Sequence, residues 1–231
     1  MQTRSRLRIT VFLAALGIIS AFGIVFSQKR EVWAVMSAAM MICGGAFTAF
    51  ESKKTSSGEI ASAAVMTALS VAGRIAFAAV PAFKPCSAII ILSGMYLGAG
   101  QGFMVGALTA LVSNFYFSQG IWTPFQMLAW GLTGLAAGLL GKALRKSLGA
   151  LMIFAALAGA AFSVAMDIFS CLWTDGTITI ERFLALSATS LWFTAAYAAS
   201  NAVFLFMFRG TAKRIFSRLY NKYAIGIQQE E

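Results

Sequence analysis

Long apolar segments separated by short polar turns run along almost the whole chain. They predict eight membrane-spanning helices, because a helix needs about 20 apolar residues to cross the hydrocarbon core of a bilayer. The predicted spans are Ile9–Ser27, Val32–Phe50, Gly58–Val80, Cys86–Gly98, Gly102–Phe117, Thr123–Leu144, Leu148–Trp173 and Arg182–Phe208. We therefore expect an all-α integral membrane protein with several passes through the bilayer.

The fourth and fifth spans are shorter than a full crossing, and their junction is rich in glycine. The sequence Gly98-Ala99-Gly100-Gln101-Gly102 predicts a tight turn between them. An alternative joins the two segments into one long broken helix. Basic residues favour the turn, because they collect on the cytoplasmic side of membrane proteins. The eight-span arrangement places thirteen of them inside and four outside, whereas seven spans would put a basic cluster on the wrong side.

Polar segments divide the chain into four predicted regions. Residues 1–50 form a two-helix hairpin, and we interpret its first helix as uncleaved because Phe26-Ser27-Gln28-Lys29 is a poor signal-peptidase site. A cytoplasmic linker follows at residues 51–57, and then a six-helix unit at residues 58–208. Residues 209–231 form a basic cytoplasmic tail, in which Arg209–Tyr223 predicts an amphipathic helical extension on the inner membrane surface.

Composition agrees with this organisation and excludes several functions. The 231 residues are 59% hydrophobic and 11% charged, against about 25% charged residues in ordinary globular chains. The net charge of +10 lies in short clusters between spans, which fits a lipid bilayer and not nucleic acid. The chain has no histidine, no P-loop and no H-E-x-x-H or G-x-S-x-G motif. We therefore expect no enzyme, no metal and no cofactor.

Two charged residues lie well away from the ends of their predicted spans, where charge is costly and often functional. Arg74 lies about seven residues before Pro81, and Asp167 lies about seven before Thr174. Both are therefore roughly 10 Å below the outer ends of their helices. A structural ion pair between them and an outward-facing ligand cavity both fit this depth.

Amides and tryptophans gather toward the same outer side. An aromatic belt at the membrane interface accounts for Trp122, but Trp130 and Trp192 lie deeper. Aromatic rings with a few amides suit an apolar cavity that holds a flat or large ligand. From depth and side-chain type, the predicted substrate-binding residues are Arg74, Lys84, Asn114, Trp122, Gln126, Trp130, Asp167 and Trp192.

Alanine recurs at every fourth position from Ala64 to Ala76 on the third span. The resulting smooth face allows another helix to approach closely. Packing within the same bundle and docking of a separate membrane subunit both explain it. A charged relay is missing from the spans, which argues against a stand-alone secondary transporter. The deep tryptophans argue against a membrane scaffold without a ligand.

The six-helix unit, about Gly58–Phe208, resembles the substrate-binding S component of energy-coupling factor (ECF) vitamin transporters. The resemblance lies in the alanine face, in the segment GRIAFAAVPAFKP and in the block LVSNFYFSQGIWTPFQMLAWGLTGLAAGLLG. This block is similar to S components of corrinoid uptake. The expected fold is a six-helix S-component-like bundle, and the two-helix transmembrane hairpin before it departs from the family pattern.

The resemblance implies capture of a vitamin from outside the cell membrane, with both termini in the cytoplasm. It also implies docking onto a membrane coupling subunit that carries two cytosolic ATPase subunits. Ala64, Ala68 and Ala72 would form the docking face, and the Pro81–Pro85 loop would be the outer gate. The implied substrate is cobalamin or a related corrinoid. A cavity with one possible acid–base pair suits a largely neutral ligand, since burying unpaired charge is expensive. Riboflavin or another neutral heterocycle is therefore the alternative.

Overall fold

The computed structural model describes residues 30–52 and 55–227, together with the single positions 17 and 24. Within this part of the chain the protein is entirely helical, which confirms the predicted all-α fold. The eight helices are α1 (Arg30–Ser52), α2 (Ser57–Ala76), α3 (Cys86–Leu97), α4 (Ala99–Phe117), α5 (Trp122–Leu139), α6 (Gly141–Lys146), α7 (Leu148–Asp175) and α8 (Ile180–Tyr223). The predicted span Ile9–Ser27 lies outside the described residues except for positions 17 and 24.

Four of these helices are long and apolar enough to cross a membrane, namely α1, α2, α7 and α8. In contrast, α3 has 12 residues, which give it a length of about 18 Å. It is buried along nearly its whole length, so it is surrounded by other helices and forms the centre of the bundle. The sixth predicted span, Thr123–Leu144, divides into α5 and the short α6 at Leu140.

The predicted turn between the two short spans is present. Helix α3 ends at Leu97 and α4 begins at Ala99. Between them, Gly98 has a φ of 103°, a conformation that glycine adopts freely and other residues avoid. The alternative of one long broken helix is therefore wrong.

Glycines bring α3, α4 and α5 into close contact. A Cβ atom on either Gly94 or Gly102 would overlap the carbonyl oxygen of Gly134. A Cβ atom on Gly138 would overlap the backbone of Ala99 in the same way. Close approach through small residues is how membrane helices gain packing contacts. These glycines hold α5, which carries part of the site described below, directly against α4.

Helix α1 packs on the remaining helices. Met36 belongs to an apolar cluster with Phe169 of α7, and Cys43 belongs to another with Phe103 of α4. The second helix of the predicted hairpin therefore shares core contacts with the six-helix unit. The division into domains itself stays a prediction.

The break between α1 and α2 falls in the predicted linker. Ser56 caps α2, because its hydroxyl accepts a hydrogen bond from the Glu59 N–H at 3.2 Å. The Glu59 carboxylate in turn accepts one from the Ser56 N–H at 2.9 Å. This reciprocal capping box fixes the start of α2, the helix that carries both Arg74 and the alanine face.

The last predicted span and the basic extension form one continuous helix. Helix α8 has 44 residues and is about 66 Å long. Its C-terminal part packs on the end of α3, where Phe216 stacks on Tyr96 with ring centroids 4.9 Å apart. The Ile227 N–H donates to the Tyr96 carbonyl at 2.9 Å. Part of the apolar side of the basic extension therefore packs on the bundle, whereas Ile215 and Tyr223 stay exposed.

Candidate functional site

A small cavity lies at the end of the bundle that carries the Pro81–Pro85 loop. Its volume is about 50 Å³, which is room for one or two water molecules at roughly 30 Å³ each. Helices α2, α3, α5, α7 and α8 and the loop all contribute to its wall. The lining residues are Arg74, Ala82, Lys84, Cys86, Ser87, Gln126, Trp130, Phe162 and Tyr197. The fold thus brings together four of the predicted substrate-binding residues: Arg74, Lys84, Gln126 and Trp130.

A hydrogen-bond network fixes Arg74 and Gln126 at this cavity. The Arg74 guanidinium donates to Asn114 Oδ1 at 2.8 Å and to the Ser113 hydroxyl. Asn114 Nδ2 donates to Gln126 Oε1 and to Thr123 Oγ1, both at 2.9 Å. Asn114 is completely buried, and its amide oxygen and nitrogen are both used within the protein. This fifth predicted residue therefore positions the lining residues and does not reach the cavity itself.

Arg74 and Lys84 lie against the same aromatic ring. The Arg74 guanidinium carbon is 4.5 Å from the centroid of Phe117 and 4.8 Å from that of Trp130. The Lys84 ammonium is 4.9 Å from the Phe117 centroid. Such cation–π contacts contribute about 0.5–2 kcal/mol each. No carboxylate lines the cavity, so aromatic rings take the place of an acidic partner.

The loop that carries Lys84 is tied to two helices. The Lys84 N–H donates to the hydroxyl of Ser200 on α8 at 2.8 Å, and that hydroxyl donates back to the Lys84 carbonyl at 2.9 Å. The hydroxyl of Ser70 on α2 donates to the Cys86 carbonyl at 3.1 Å. The backbone position of Lys84 is therefore set by the fold. Burial and the nearby Arg74 charge lower the pKa of the Lys84 ammonium below its ordinary value.

Three aromatic rings form the apolar wall of the cavity. Trp130 stacks on Phe162 with centroids 5.0 Å apart and planes at 13°, and Tyr197 meets Phe162 edge-on at 5.2 Å. Trp130 is only 3% exposed. Its indole N–H is buried and has no hydrogen-bond partner in the described part of the chain. A buried unpaired donor costs about 1–3 kcal/mol, and this one belongs to a residue that lines the cavity.

Asp167 lies in a separate cluster between α7 and α8. Its Oδ2 accepts a hydrogen bond from the Ser190 hydroxyl at 2.6 Å. One turn away, the Thr194 hydroxyl donates to Ser163 at 2.8 Å. Asp167 does not pair with Arg74, so the structural ion pair considered from the sequence is not formed.

The two remaining predicted residues also lie outside the cavity. Trp192 is 75% exposed on the outside of α8, and Trp122 is 37% exposed at the start of α5. The Trp122 ring lies over Gly120. Both positions fit tryptophans that face lipid or the membrane interface.

Four residues of the site were not predicted from the sequence, namely Phe117, Phe162, Tyr197 and Ser200. The chain has 20 phenylalanines and five tyrosines, and nothing in the local sequence separates these from the rest. For Phe117 a signal existed, because it belongs to the same NFYFSQG segment as Asn114.

The alanine face of α2 is open to the outside of the bundle. Ala64, Ala68 and Ala72 are exposed, whereas the other side of the helix buries Thr67 and Ser70. Within the described residues, the face is therefore not used for packing in the bundle.

One family model matches the chain. It describes the ECF-type riboflavin transporter, S component, and it covers residues 54–209, more than half of the 231 residues. No curated protein and no solved structure matches. The family is a transporter component and not an enzyme. Its members bind a vitamin substrate and work with membrane and ATPase modules. The family and the apolar helices support a multi-pass membrane location for this protein. The chain therefore belongs to the ECF-type riboflavin transporter S-component family, as its resemblance to S components predicted.

Proposed function

We propose that this protein captures riboflavin in the cavity between Trp130, Phe162 and Tyr197. The observation that carries the proposal is the stacked pair of Trp130 and Phe162 with its unpartnered indole N–H. The isoalloxazine of riboflavin is a flat ring system with carbonyl acceptors along one edge. Its face suits aromatic stacking, and a carbonyl at its edge suits a buried donor that lacks a partner.

Binding requires the site to open, and because Phe162 already stacks on Trp130 with centroids 5.0 Å apart, the flavin ring must displace Phe162 to stack there. A cavity of about 50 Å³ is much smaller than a three-ring heterocycle, so the structure corresponds to a closed site. The Pro81–Pro85 loop is the proposed outer gate, because it covers the cavity with Ala82 and Lys84. Within this loop the non-glycine residue Ala82 has a φ of 57°. This conformation costs about 1–2 kcal/mol, and such strain clusters at ligand clamps.

Cobalamin, the substrate predicted from the sequence, stays a prediction. The family description names riboflavin. Cobalamin is also far larger than riboflavin, and its axial groups prevent it from entering between two stacked rings. Its amide-rich edge needs hydrogen-bonding partners, but the Asn114 amide is already bonded to Arg74, Thr123 and Gln126. We therefore favour riboflavin over a corrinoid.

For delivery of the vitamin into the cell, we propose that the end of the bundle with the cavity faces the outside of the membrane and that both termini lie in the cytoplasm. This orientation rests on the excess of basic residues at the opposite end. The exposed face of Ala64, Ala68 and Ala72 would dock onto a membrane coupling subunit with two cytosolic ATPase subunits. Close helix packing against small residues supports this role.

The test of the binding function is a titration of the purified protein in detergent with riboflavin and, separately, with cobalamin. We expect saturable 1:1 binding of riboflavin that quenches its fluorescence. Trp130→Leu removes the stacking ring and the N–H donor, so affinity should fall roughly 100-fold, or about 2.7 kcal/mol. Trp192→Leu, a matched change on the exposed side of α8, should retain affinity. Equal losses in the two variants, or saturable binding of cobalamin alone, would contradict the proposal.

The docking face has its own test. Ala68→Leu adds bulk to the exposed face of α2 and should abolish riboflavin uptake by cells and co-purification with the ATPase subunits. Riboflavin binding by the purified variant should persist, because Ala68 is remote from the cavity lining. Ala195→Leu on the exposed side of α8 is the matched control and should preserve uptake. Normal uptake with Ala68→Leu would assign docking to another surface.

A further inference from the structure

Two cations at the cavity have no anionic partner among the described residues. Of the acidic residues that the structure describes, Glu59 caps α2, Asp167 bonds Ser190, and Asp175 pairs with Arg182 at 3.1 Å. Glu31 and Glu181 lie in the first turns of α1 and α8. None of them lines the cavity that holds Arg74 and Lys84. A charge in a partly buried membrane site is expensive unless it is paired. The site therefore lacks one charge-balancing component.

Both cations retain free hydrogen-bond donors. The Arg74 bonds to Ser113 and Asn114 use Nη1 alone. The guanidinium has five N–H groups, and those on Nε and Nη2 have no partner among the described residues. The Lys84 ammonium contacts the Phe117 ring and donates to no protein oxygen within the described chain. Anions are the ligands that such donors bind most strongly.

The position of the two cations is set before any ligand binds. Arg74 is held by the network through Asn114, and the Lys84 backbone is held by its two bonds with Ser200. Both cations lie within 5 Å of the Phe117 centroid. Arg74 also lies over Trp130, the ring proposed to stack on the flavin. An anionic group attached to the bound heterocycle would therefore meet both cations.

We propose that the site favours a substrate with an anionic group, such as a phosphate, which binds between Arg74 and Lys84. Among flavins the site then prefers riboflavin 5′-phosphate to riboflavin. This inference rests on the proposed flavin-binding function and replaces the neutral ligand expected from the sequence. That expectation assumed that Asp167 could neutralise Arg74, and the structure separates the two residues.

The test compares riboflavin and riboflavin 5′-phosphate by fluorescence titration of the full-length protein in detergent free of phospholipid. We expect the phosphate to bind at least tenfold more tightly at low salt, and the preference to shrink as salt screens the charges. Lys84→Gln should reduce phosphate affinity at least tenfold more than it reduces riboflavin affinity. Lys213→Gln, an exposed lysine on α8, removes the same charge and should preserve the preference.

The outcomes separate this inference from the function on which it rests. If riboflavin binds and the phosphate binds no better, the inference is overturned while the proposed function stands. If neither flavin binds, the proposed function fails as well. A lipid phosphate is the competing source of the anion, so the titration is repeated in phosphatidylglycerol nanodiscs. Loss of the phosphate preference only there would assign the two cations to a lipid headgroup and overturn the substrate proposal.

Discussion

Two clusters of polar residues differ in how their charges are partnered. The Arg74 cluster contains Arg74, Lys84, Asn114 and Trp130, and the Asp167 cluster contains Asp167 and Ser190. The Asp167 carboxylate accepts a hydrogen bond from Ser190 across the contact between α7 and α8. Arg74 is bonded on one side only, and its other side faces a cavity with Lys84 and the unpartnered Trp130 indole. Asp167 lies outside the cavity, in a contact between two helices, so we expect it to act on folding. A group with unmatched charge and free donors is available to a ligand.

Replacing Arg74 should produce the larger effect on binding. Arg74→Met removes the guanidinium from Asn114 and from the rings of Phe117 and Trp130. We expect flavin affinity to fall by roughly 100-fold, since hydrogen bonds to charged groups contribute about 1.5–3 kcal/mol. Isothermal titration calorimetry measures the loss. Arg182→Met on the exposed ion pair is the control, and an equal loss there would contradict a local role for Arg74.

Replacing Asp167 should act on stability and not on affinity. Asp167→Leu removes the hydrogen bond that joins α7 to α8 and leaves the Ser190 hydroxyl only its bond to the Ser187 carbonyl of its own helix at 3.3 Å. The loss should cost about 1–3 kcal/mol of unfolding free energy. Thermal unfolding in detergent checks this loss, and flavin affinity should change by less than threefold. Asp175→Leu breaks an exposed ion pair instead and should cost about 0–1 kcal/mol. A large affinity loss with normal stability in Asp167→Leu would erase the distinction between the two clusters.

Most of the described fold was predictable from hydropathy and glycine placement. Apolar length located α2, α4 and α7 to within a few residues, and the glycine-rich sequence at Gly98 correctly predicted a turn. The division of one predicted span into α5 and α6 was missed, because Leu139-Leu140-Gly141 is as apolar as the helix before it. The burial of the short α3 at the centre depends on contacts between distant segments, which local sequence does not contain.

Half of the predicted substrate-binding residues line the cavity. Arg74, Gln126 and Trp130 were recognised because polar or large aromatic side chains are uncommon at their depth, whereas Lys84 lies in the Pro81–Pro85 loop between predicted spans. Depth fixes the height of a residue along a helix but not the direction in which it points. Trp192 therefore had the right depth and lies on the exposed side of α8. For the same reason, depth alone could not decide whether Arg74 pairs with Asp167.

The most direct test of the account is a crystal or electron cryo-microscopy structure of the protein with a bound flavin. The account predicts the isoalloxazine against Trp130, with a ring carbonyl accepting from the indole N–H and the Pro81–Pro85 loop closed above it. It also predicts that Asp167 keeps its bond to Ser190. A flavin seated at Asp167, or on the apolar surface outside the cavity, would contradict the assignment of binding to the Arg74 cluster.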